Sequence, residues 1–400
     1  MSPLLPDSTP ESDALRERFA RVAMRSAPTP QAVFARGEGA YVWDVDGRRF
    51  LDFLAGIAVN ALGHAHPALV AAVADQAARL IHVSNYVTTP QGVDFAERLV
   101  RLTGAGPTGR VYPANSGAEA IEAAVKLARR TGRPRILAFE NGFHGRTMGA
   151  LAVTGKPALR EPFEPMLPGV DHLPTDRAAL EEAMGDDVAA VLLEPIKGEA
   201  GVVPLPDGFL TAARELTRQH GALLIADEIQ TGAGRTGDWF AVQHEGVTPD
   251  AWVLAKGIGG GVPVGALVTT GAASDLFTLG QHGSTFGGNP LATGAASAVL
   301  AEIERADLVG NARRRGVELR EAILGLDSPL VTEVRGRGLL LGVGLSAEAA
   351  PRVVDEAMRR GLIVNAPNAT TIRLAPPLTI GDAEIAEFIT LFAESLKAAA

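Results

Sequence analysis

The middle of the sequence contains a series of short, uninterrupted apolar runs separated by longer polar segments. A strand with one solvated face alternates apolar and polar residues, whereas a strand buried on both faces is apolar throughout. The intervening segments, such as residues 209–220, have the spacing of helices. This order predicts an α/β fold around a mostly parallel sheet. The apolar runs are Arg135–Phe139, Val188–Leu193, Ala222–Ala226, Ala251–Ala255 and Gly265–Thr269.

The two ends of the chain follow a different pattern. Residues 41–53 alternate around an Asp-Gly pair, which predicts a β-hairpin. The C-terminal part predicts a smaller α+β domain with helices at 302–324, 350–360 and 382–397 and strands at 338–343 and 362–364. We therefore expect a tail and small-domain part at 1–59, a large domain at 60–300 and a C-terminal small domain at 301–400.

Composition excludes several classes of function. The 37 Lys and Arg against 46 Asp and Glu give a net charge of −9, which disfavours a broad basic surface for nucleic acid or anionic lipid. The chain has no cysteine, so disulfides, thiolate nucleophiles and cysteine-bound metals are excluded. Residues 1–13 lack the pattern of a signal peptide and predict an exposed tail.

Uncharged stretches are the other feature that bears on location. Residues 53–74 include Asn60, His64, His66 and Pro67, which a lipid-facing helix would not tolerate. The stretches 257–274 and 276–301 are rich in glycine and predict buried loops and strands. We expect a cytoplasmic protein with neither a membrane nor a nucleic-acid partner.

Charged residues close three successive apolar runs. Glu194 follows the first of them, Asp227 and Glu228 follow the second, and Lys256 follows the third. Ligands of open α/β sheets bind at the carboxyl ends of the strands, where loops gather several side chains. The spacing of about one βα unit between these positions predicts that the carboxylates and the amine surround one crevice.

Two interpretations fit this pairing of charges. Lys256 could simply be the cation that keeps a buried aspartate ionised. Alternatively, Lys256 forms a Schiff base with pyridoxal phosphate, and Asp227 pairs with the pyridinium nitrogen so that the ring acts as an electron sink. Only five of the basic residues are lysines, and the other four, Lys126, Lys156, Lys197 and Lys397, fall in helices or loops without predicted chemistry.

The cofactor interpretation requires a phosphate site, and one is available after residue 115. Ser116 with Glu119 predicts a capping box at the start of a helix. The free N–H groups of Gly117 and Ala118 at the positive helix end suit a phosphate. The Gly-rich loop 283–290 offers further hydroxyl groups or a plain turn.

Aromatic and arginine residues supply the remaining candidates. Phe143 could stack on a flat ring, and Arg146 could clamp a carboxylate with two hydrogen bonds. Arg373 stands alone in an apolar stretch and is either a surface-pairing arginine or a ligand for a substrate carboxylate. His64 and His66 form no convincing metal pair, and no metal site is expected.

Seven segments occur in the order and spacing of class III pyridoxal-phosphate aminotransferases, and the chain resembles that family from about residue 30 onward. Within the family it is most similar to the acetylornithine aminotransferase branch. The segments are Asn115–Ala120, Phe143–Thr147, Glu194–Gly201, Asp227–Gly232, Ala255–Gly257, Gly283–Pro290 and Arg373–Pro377.

The resemblance implies the architecture of fold type I aminotransferases, a homodimer with active sites at the subunit interface, and pyridoxal phosphate as cofactor. It makes Lys256 the catalytic lysine and proton shuttle and Asp227 the partner of the pyridinium nitrogen. The other implied cofactor contacts are Ser116, Gly117, Ala118, stacking Phe143, His144, Glu228, Gln230 and, from the other subunit, Thr285.

The resemblance also implies a substrate site that serves two half-reactions. Arg373 would hold the α-carboxylate of glutamate or 2-oxoglutarate and would be gated by a salt bridge with Glu199. Arg146 would take the distal carboxylate, and Ser284 would lie near substrate or phosphate. The implied reaction moves the terminal amino group of N2-acetyl-L-ornithine to 2-oxoglutarate, a step of arginine biosynthesis.

Several alternatives stay open at this point. Ornithine, succinylornithine or 4-aminobutyrate could be the amino donor, although Ile57 stands where ornithine aminotransferases carry a tyrosine and so favours the acetylated substrate. Ile121 and Lys197 also depart from the usual residues of the family. From other classes, a nicotinamide dehydrogenase is weakened because no G-x-G-x-x-G motif opens the first βα unit. A catalytically dead scaffold is weakened because Lys256 and Asp227 are both present.

Overall fold

The computed structural model describes residues 9–26 and 30–400. The expected N-terminal tail falls partly outside these residues, and residues 10–13 belong to the first helix. The helices are α1 (Pro10–Val22), α2 (Ala55–Ala58), α3 (Pro67–Arg79), α4 (Pro90–Thr103), α5 (Gly117–Arg129), α6 (Met148–Val153), α7 (Pro157–Arg160), α8 (Arg177–Ala183), α9 (Phe209–His220), α10 (Pro290–Arg305), α11 (Leu308–Leu324), α12 (Ala350–Arg359) and α13 (Asp382–Ala399).

The strands form one large and three smaller sheets among the described residues. The strands are β1 (Phe34–Glu38), β2 (Tyr41–Asp44), β3 (Arg49–Asp52), β4 (Arg110–Ala114), β5 (Arg135–Phe139), β6 (Val170–Leu173), β7 (Val188–Leu193), β8 (Ile196–Lys197), β9 (Val203–Pro204), β10 (Leu223–Asp227), β11 (Ala251–Leu254), β12 (Gly265–Thr269), β13 (Val331–Arg337), β14 (Leu340–Leu345), β15 (Leu362–Ile363), β16 (Asn365–Asn368) and β17 (Thr371–Leu374).

The large sheet has the order β4-β12-β11-β10-β7-β5-β6. Strands β11, β10, β7, β5 and β6 run parallel, whereas β12 is antiparallel to both of its neighbours. Strands β7, β11 and β12 are buried along their whole length, as their continuous apolarity predicts. The predicted α/β fold with a mostly parallel sheet is confirmed.

Two smaller sheets contain the strands of the N-terminal and C-terminal parts of the chain. The predicted hairpin at 41–53 is the antiparallel pair β2 and β3, and β3 also pairs in parallel with β15 from the C-terminal part. The second sheet is antiparallel, with the order β13-β14-β17-β16. The division of the chain at residues 59 and 300 stays a prediction.

The segment around residue 300 differs from expectation. The stretch 276–301 was expected to form loops and strands, but its second half belongs to α10, which is capped by Asn289 and packs against α3 and α4. The expected helix at 302–324 is divided between α10 and α11. The break lies at Asp307, which has φ +47° and whose side chain accepts a hydrogen bond from the backbone N–H of Gly310.

His64 and His66, the candidate metal pair, both form hydrogen bonds within the fold. His64 Nε2 lies 2.8 Å from Asp52 Oδ2, and His66 caps α3 by accepting from the backbone N–H of Ala68. Within residues 9–26 and 30–400, no helix is both long and apolar enough to cross a membrane.

Candidate active site

The carboxyl ends of four adjacent parallel strands open into one cavity of about 380 Å³, a volume in the range of small-molecule sites. Lys256 follows β11, Asp227 ends β10, Glu194 follows β7, and Phe143 lies in the loop after β5. The predicted convergence of carboxylates and amine at one crevice is therefore what the geometry shows. The lining also includes Asn115, Ser116, Gly117, Ala118, His144, Glu199, Ile229 and Gln230.

Lys256 is held in an unusual backbone conformation at this edge. Its φ is +49°, in the left-handed region that residues with a side chain rarely adopt and that is often found at functional sites. Burial lowers the pKa of its ammonium group, and the positive charge of Arg373 lowers it further, against the opposing effect of Glu199 and Asp227. The surroundings thus favour the neutral, nucleophilic amine.

Asp227 is fixed by two hydrogen bonds. Its Oδ2 lies 2.7 Å from His144 Nδ1, and its Oδ1 accepts from the backbone N–H of Ile229 at 3.0 Å. Burial by itself would lower the pKa of His144, but the hydrogen bond and charge of Asp227 outweigh burial and raise it. The backbone N–H of His144 donates to Thr154 Oγ1, and this bond helps to position the imidazole. The carboxylate consequently presents a fixed orientation to the cavity.

The N-terminus of α5 lines part of the cavity. Ser116 caps the helix by accepting from the backbone N–H of Glu119 at 3.2 Å. The predicted capping box is only half formed, because the Glu119 carboxylate accepts from the backbone N–H of Asn115 instead. A Cβ on Gly117 would lie 2.7 Å from Ile229 Cδ1, so any larger residue at this helix end would displace the Ile229 side chain.

Arg373 is fully buried on β17, so the interpretation as a surface-pairing arginine is wrong. Its Nε donates to Asn365 Oδ1 at 3.1 Å, and its Nη1 donates to Gln230 Oε1 at 3.2 Å and to Glu199 Oε1. Burial raises the pKa of Glu199, but the charge of Arg373 and its hydrogen bond lower it by more. Since Gln230 accepts through its oxygen, its Nε2 is the atom available to donate to a bound ring.

Other predicted site residues lie at the edge of the cavity or outside it. Arg146 is exposed, with its guanidinium 5.8 Å from the centre of the Phe143 ring. Ser284 Oγ accepts from Asn115 Nδ2 at 3.0 Å, and Thr285 beside it is exposed.

Glu228 is not brought to the cavity. Its carboxylate accepts from the backbone N–H groups of Ala241 and Val242 and from the Thr231 hydroxyl. These bonds turn the side chain toward the 3-10 helix Ala241–Glu245 and away from the cavity. The geometry therefore does not support a direct cofactor contact by Glu228. Consecutive side chains at a strand end point to opposite sides, so Asp227 faces the cavity and Glu228 does not.

Two residues of the site carried no predicted role in it. Glu194 Oε2 accepts from the backbone N–H of Phe143 at 2.9 Å, and Oε1 from that of Gly198 at 3.4 Å. Burial raises the pKa of Glu194 to about 7. Asn365, the partner of Arg373, lies on the neighbouring strand β16. The position of Glu194 at a strand end signalled its location, whereas nothing in the sequence pattern signalled Asn365.

The donor set fits pyridoxal phosphate. The cavity combines a buried amine, a carboxylate held in one orientation, an aromatic ring and the positive end of a helix. Each of these groups meets one requirement of a flat, cationic, phosphate-bearing aldehyde.

Comparison with known proteins gives consistent matches. The sequence profile of the family described as Aminotransferase class-III matches residues 22–396. The acetylornithine aminotransferase of Mycobacterium leprae is 51% identical over 377 residues, which cover 94% of this chain and 93% of that protein.

Solved structures match over similar lengths. Acetylornithine aminotransferase from Elizabethkingia anophelis superposes with a TM-score of 0.85 at 34% identity, over 96% of this chain and 99% of that chain. Ornithine aminotransferase from Toxoplasma gondii, with PLP in partial occupancy at its active site, superposes with a TM-score of 0.92 at 33% identity, over 96% of this chain and 94% of that chain.

Proposed function

Since the chain belongs to the class III aminotransferases, as its motifs predict, we propose that it moves the terminal amino group of N2-acetyl-L-ornithine to 2-oxoglutarate. The products are N-acetyl-L-glutamate 5-semialdehyde and L-glutamate, which places the reaction in arginine biosynthesis. The observation that carries the proposal is the convergence of Lys256 and Asp227 in one cavity beside the Glu199–Arg373 pair.

The enzyme is a pyridoxal-phosphate-dependent transaminase. When bound, the cofactor supplies a carbonyl that exchanges amines and a ring that accepts electrons from the substrate carbon. Gly117 and Ala118 at the start of α5 would hold its phosphate, Phe143 its ring face and Asp227 its ring nitrogen. These assignments are supported by the place of each residue in the cavity lining.

Lys256 would carry the proton in both half-reactions. Its side chain lines the cavity, and burial together with Arg373 lowers its pKa, which shifts the equilibrium toward the neutral amine. A neutral amine can accept a proton from the substrate carbon and return it on the other side of the transfer. The Asp227 carboxylate, held by His144 and Ile229, would keep the opposite charge in place throughout.

The Glu199–Arg373 pair would allow one cavity to accept two kinds of substrate. With the pair formed, the arginine charge is neutralised and the terminal amine end of the donor can enter. When Glu199 leaves, Arg373 is exposed to the α-carboxylate of 2-oxoglutarate. Exposed Arg146 near the mouth would hold the distal carboxylate of either substrate.

A homodimer would complete the site. Thr285 is exposed in this chain, in a loop that Ser284 ties to Asn115 beside the α5 N-terminus. From that loop the Thr285 hydroxyl would reach the phosphate held in the partner subunit, as the family resemblance implies.

The decisive experiment combines a chemical and a kinetic readout. Borohydride reduction of the purified yellow protein, followed by peptide mapping, should locate the cofactor mass on Lys256. Lys256→Ala should abolish turnover while leaving the fold intact by circular dichroism. A colourless protein that binds no added pyridoxal phosphate contradicts the proposal.

Free ornithine is the second candidate donor, because an ornithine aminotransferase superposes with a TM-score of 0.92. Against it, Ile57 stands where the resemblance would require a tyrosine for free ornithine, and half of the residues are identical to an acetylornithine aminotransferase. The ratio of kcat/KM for acetylornithine and ornithine decides between them. A preference for ornithine would overturn the choice of donor without affecting the transaminase assignment.

A further inference from the structure

Side chains from other parts of the chain hold the backbone of every residue in the loop 198–201. Glu194 accepts from the N–H of Gly198 at 3.4 Å. Three donors bind successive carbonyl oxygens: Lys156 Nζ that of Glu199 at 2.7 Å, Asn368 Nδ2 that of Ala200 at 3.1 Å, and Arg335 Nε that of Gly201 at 2.9 Å. The backbone of this loop is therefore fixed, and Glu199 can leave Arg373 only by rotating its side chain.

A rotated Glu199 carboxylate needs another cation. The Glu199 side chain is about three-quarters buried, and a buried carboxylate without a partner is strongly destabilising. Besides Arg373, the positive charges that lower the pKa of Glu199 are those of Lys256 and Lys156. In the proposed function Lys256 binds the cofactor and transfers the proton. Lys156 is therefore the remaining cation that could pair with the rotated carboxylate.

Lys156 has the features that such a second partner requires. Its Nζ already contacts Glu199 through the carbonyl oxygen, so the ammonium lies within a side-chain rotation of the carboxylate. It is half-buried, and among the described residues it forms no salt bridge of its own. Arg335, the other cation on the loop, is already paired with Glu333.

We propose that Lys156 receives the Glu199 carboxylate when a dicarboxylate substrate takes its place on Arg373. The inference rests on the proposed function, in which Arg373 binds the α-carboxylate of 2-oxoglutarate. Glu199 then exchanges one ion pair for another, and Lys156 is a specificity-determining residue for the dicarboxylate half-reaction. In the donor half-reaction Glu199 stays on Arg373, and Lys156 acts only as a hydrogen-bond donor to the Glu199 carbonyl, not as an ion-pair partner.

Binding of glutarate, a five-carbon dicarboxylate, to the holoenzyme tests the exchange without turnover. Lys156→Gln keeps a hydrogen-bond donor but removes the charge, so the Kd for glutarate measured by calorimetry should rise about fivefold to tenfold. Lys156→Arg should restore binding to within about twofold of the wild type. The KM for 2-oxoglutarate should follow the Kd, whereas single-turnover reaction with acetylornithine should stay unchanged.

Asn368→Ala is the matched control, because it removes another tether of the same loop without removing a charge. Its Kd for glutarate should stay within about twofold of the wild type, as expected for loss of one exposed neutral hydrogen bond. An equal loss in Asn368→Ala and Lys156→Gln would show that loop position alone matters, and would overturn the inference. Unchanged glutarate binding in Lys156→Gln, or an equal loss in the acetylornithine reaction, would overturn it as well.

The outcomes separate this inference from the proposed function. Glutarate binding does not depend on the amino donor, so an enzyme that prefers another donor would still show the Lys156 effect. A wild-type holoenzyme that fails to bind glutarate would contradict both the dicarboxylate acceptor and the ion-pair exchange.

Discussion

At the scale of single residues, the site is built from groups that burial would otherwise destabilise. Asp227 stays oriented because His144 and the backbone of Ile229 hold both of its oxygens. Glu194 is held by two backbone N–H groups that belong to separate loops. Hydrogen bonds to carboxylates in such surroundings offset the desolvation that burial imposes.

Gly117 offers a test of the phosphate site at this scale. In Gly117→Ala the new Cβ would lie 2.7 Å from Ile229 Cδ1, so the side chain of Ile229, which also lines the cavity, would have to shift. We expect the Kd for pyridoxal phosphate to rise about tenfold, with little change in stability because alanine favours a helix more than glycine does. Spectroscopic titration of the apoenzyme with the cofactor measures this.

Ser116→Ala provides the complementary control. It removes the cap of α5 and should lower the free energy of unfolding by about 1 kcal/mol. If Gly117→Ala bound cofactor as tightly as the wild type while Ser116→Ala behaved as expected, the helix end would not be the phosphate site.

The sequence could predict residues that close apolar runs but not residues that meet through tertiary structure. Asp227 and Lys256 were identifiable because parallel strands bring their carboxyl ends to one edge. Lys156 carried no predicted role because its contact with Glu199 joins segments 43 positions apart. Asn365 and Arg373 lie opposite each other on the short antiparallel strands β16 and β17, and the hydrophobic periodicity of the sequence did not predict this pairing.

At the scale of elements, the buried strands were the most predictable. Strands β5, β7 and β12 have the predicted bounds, because continuous apolarity has few alternatives at that length. The chain near residue 306 was not predictable in this way, since helix-forming residues continue on both sides of the break. Only the left-handed conformation of Asp307 separates α10 from α11.

Glu228 makes the junction of β10 with the 3-10 helix Ala241–Glu245 sensitive to pH. Burial raises the pKa of Glu228 from its ordinary value near 4.5 to about 7. The folded state therefore holds this proton more tightly than the unfolded state. The resulting stabilisation is complete below pH 4.5 and is lost as the pH rises through 7.

In Glu228→Gln this contribution is absent. From pH 5 to pH 8, the free energy of unfolding of the wild type should fall by about 2 kcal/mol relative to that of the variant. Urea unfolding at both pH values measures the difference. Exposed Glu245, in the same 3-10 helix, gives the control Glu245→Gln, which should leave the pH dependence unchanged. A constant difference between wild type and Glu228→Gln would contradict the raised pKa.

At the scale of the whole molecule, the proposed dimer makes the two active sites interdependent. Lys256 lines the chain's own cavity, while Thr285 is exposed and would serve the partner. Two inactive variants should then complement each other. A hybrid of Lys256→Ala with Thr285→Asp would contain one site that carries both changes and one site that carries neither.

Co-refolding an equal mixture of the two variants should restore roughly a quarter of wild-type activity, because half of the dimers are hybrids with one intact site. Each variant refolded alone should stay inactive, Thr285→Asp because its carboxylate repels the phosphate. If Thr285 instead served its own subunit, every site would carry a change and the mixture would show no recovery.

The pairing of β3 with β15 has a consequence for synthesis. Asp52 in β3 lies opposite Ile363, and the backbone N–H of Ala375 donates to the carbonyl of Phe53. The whole segment between β3 and β15 must therefore be synthesised before the N-terminal hairpin gains this neighbouring strand. Until then, the edge of β3 is open to pairing with other nascent chains.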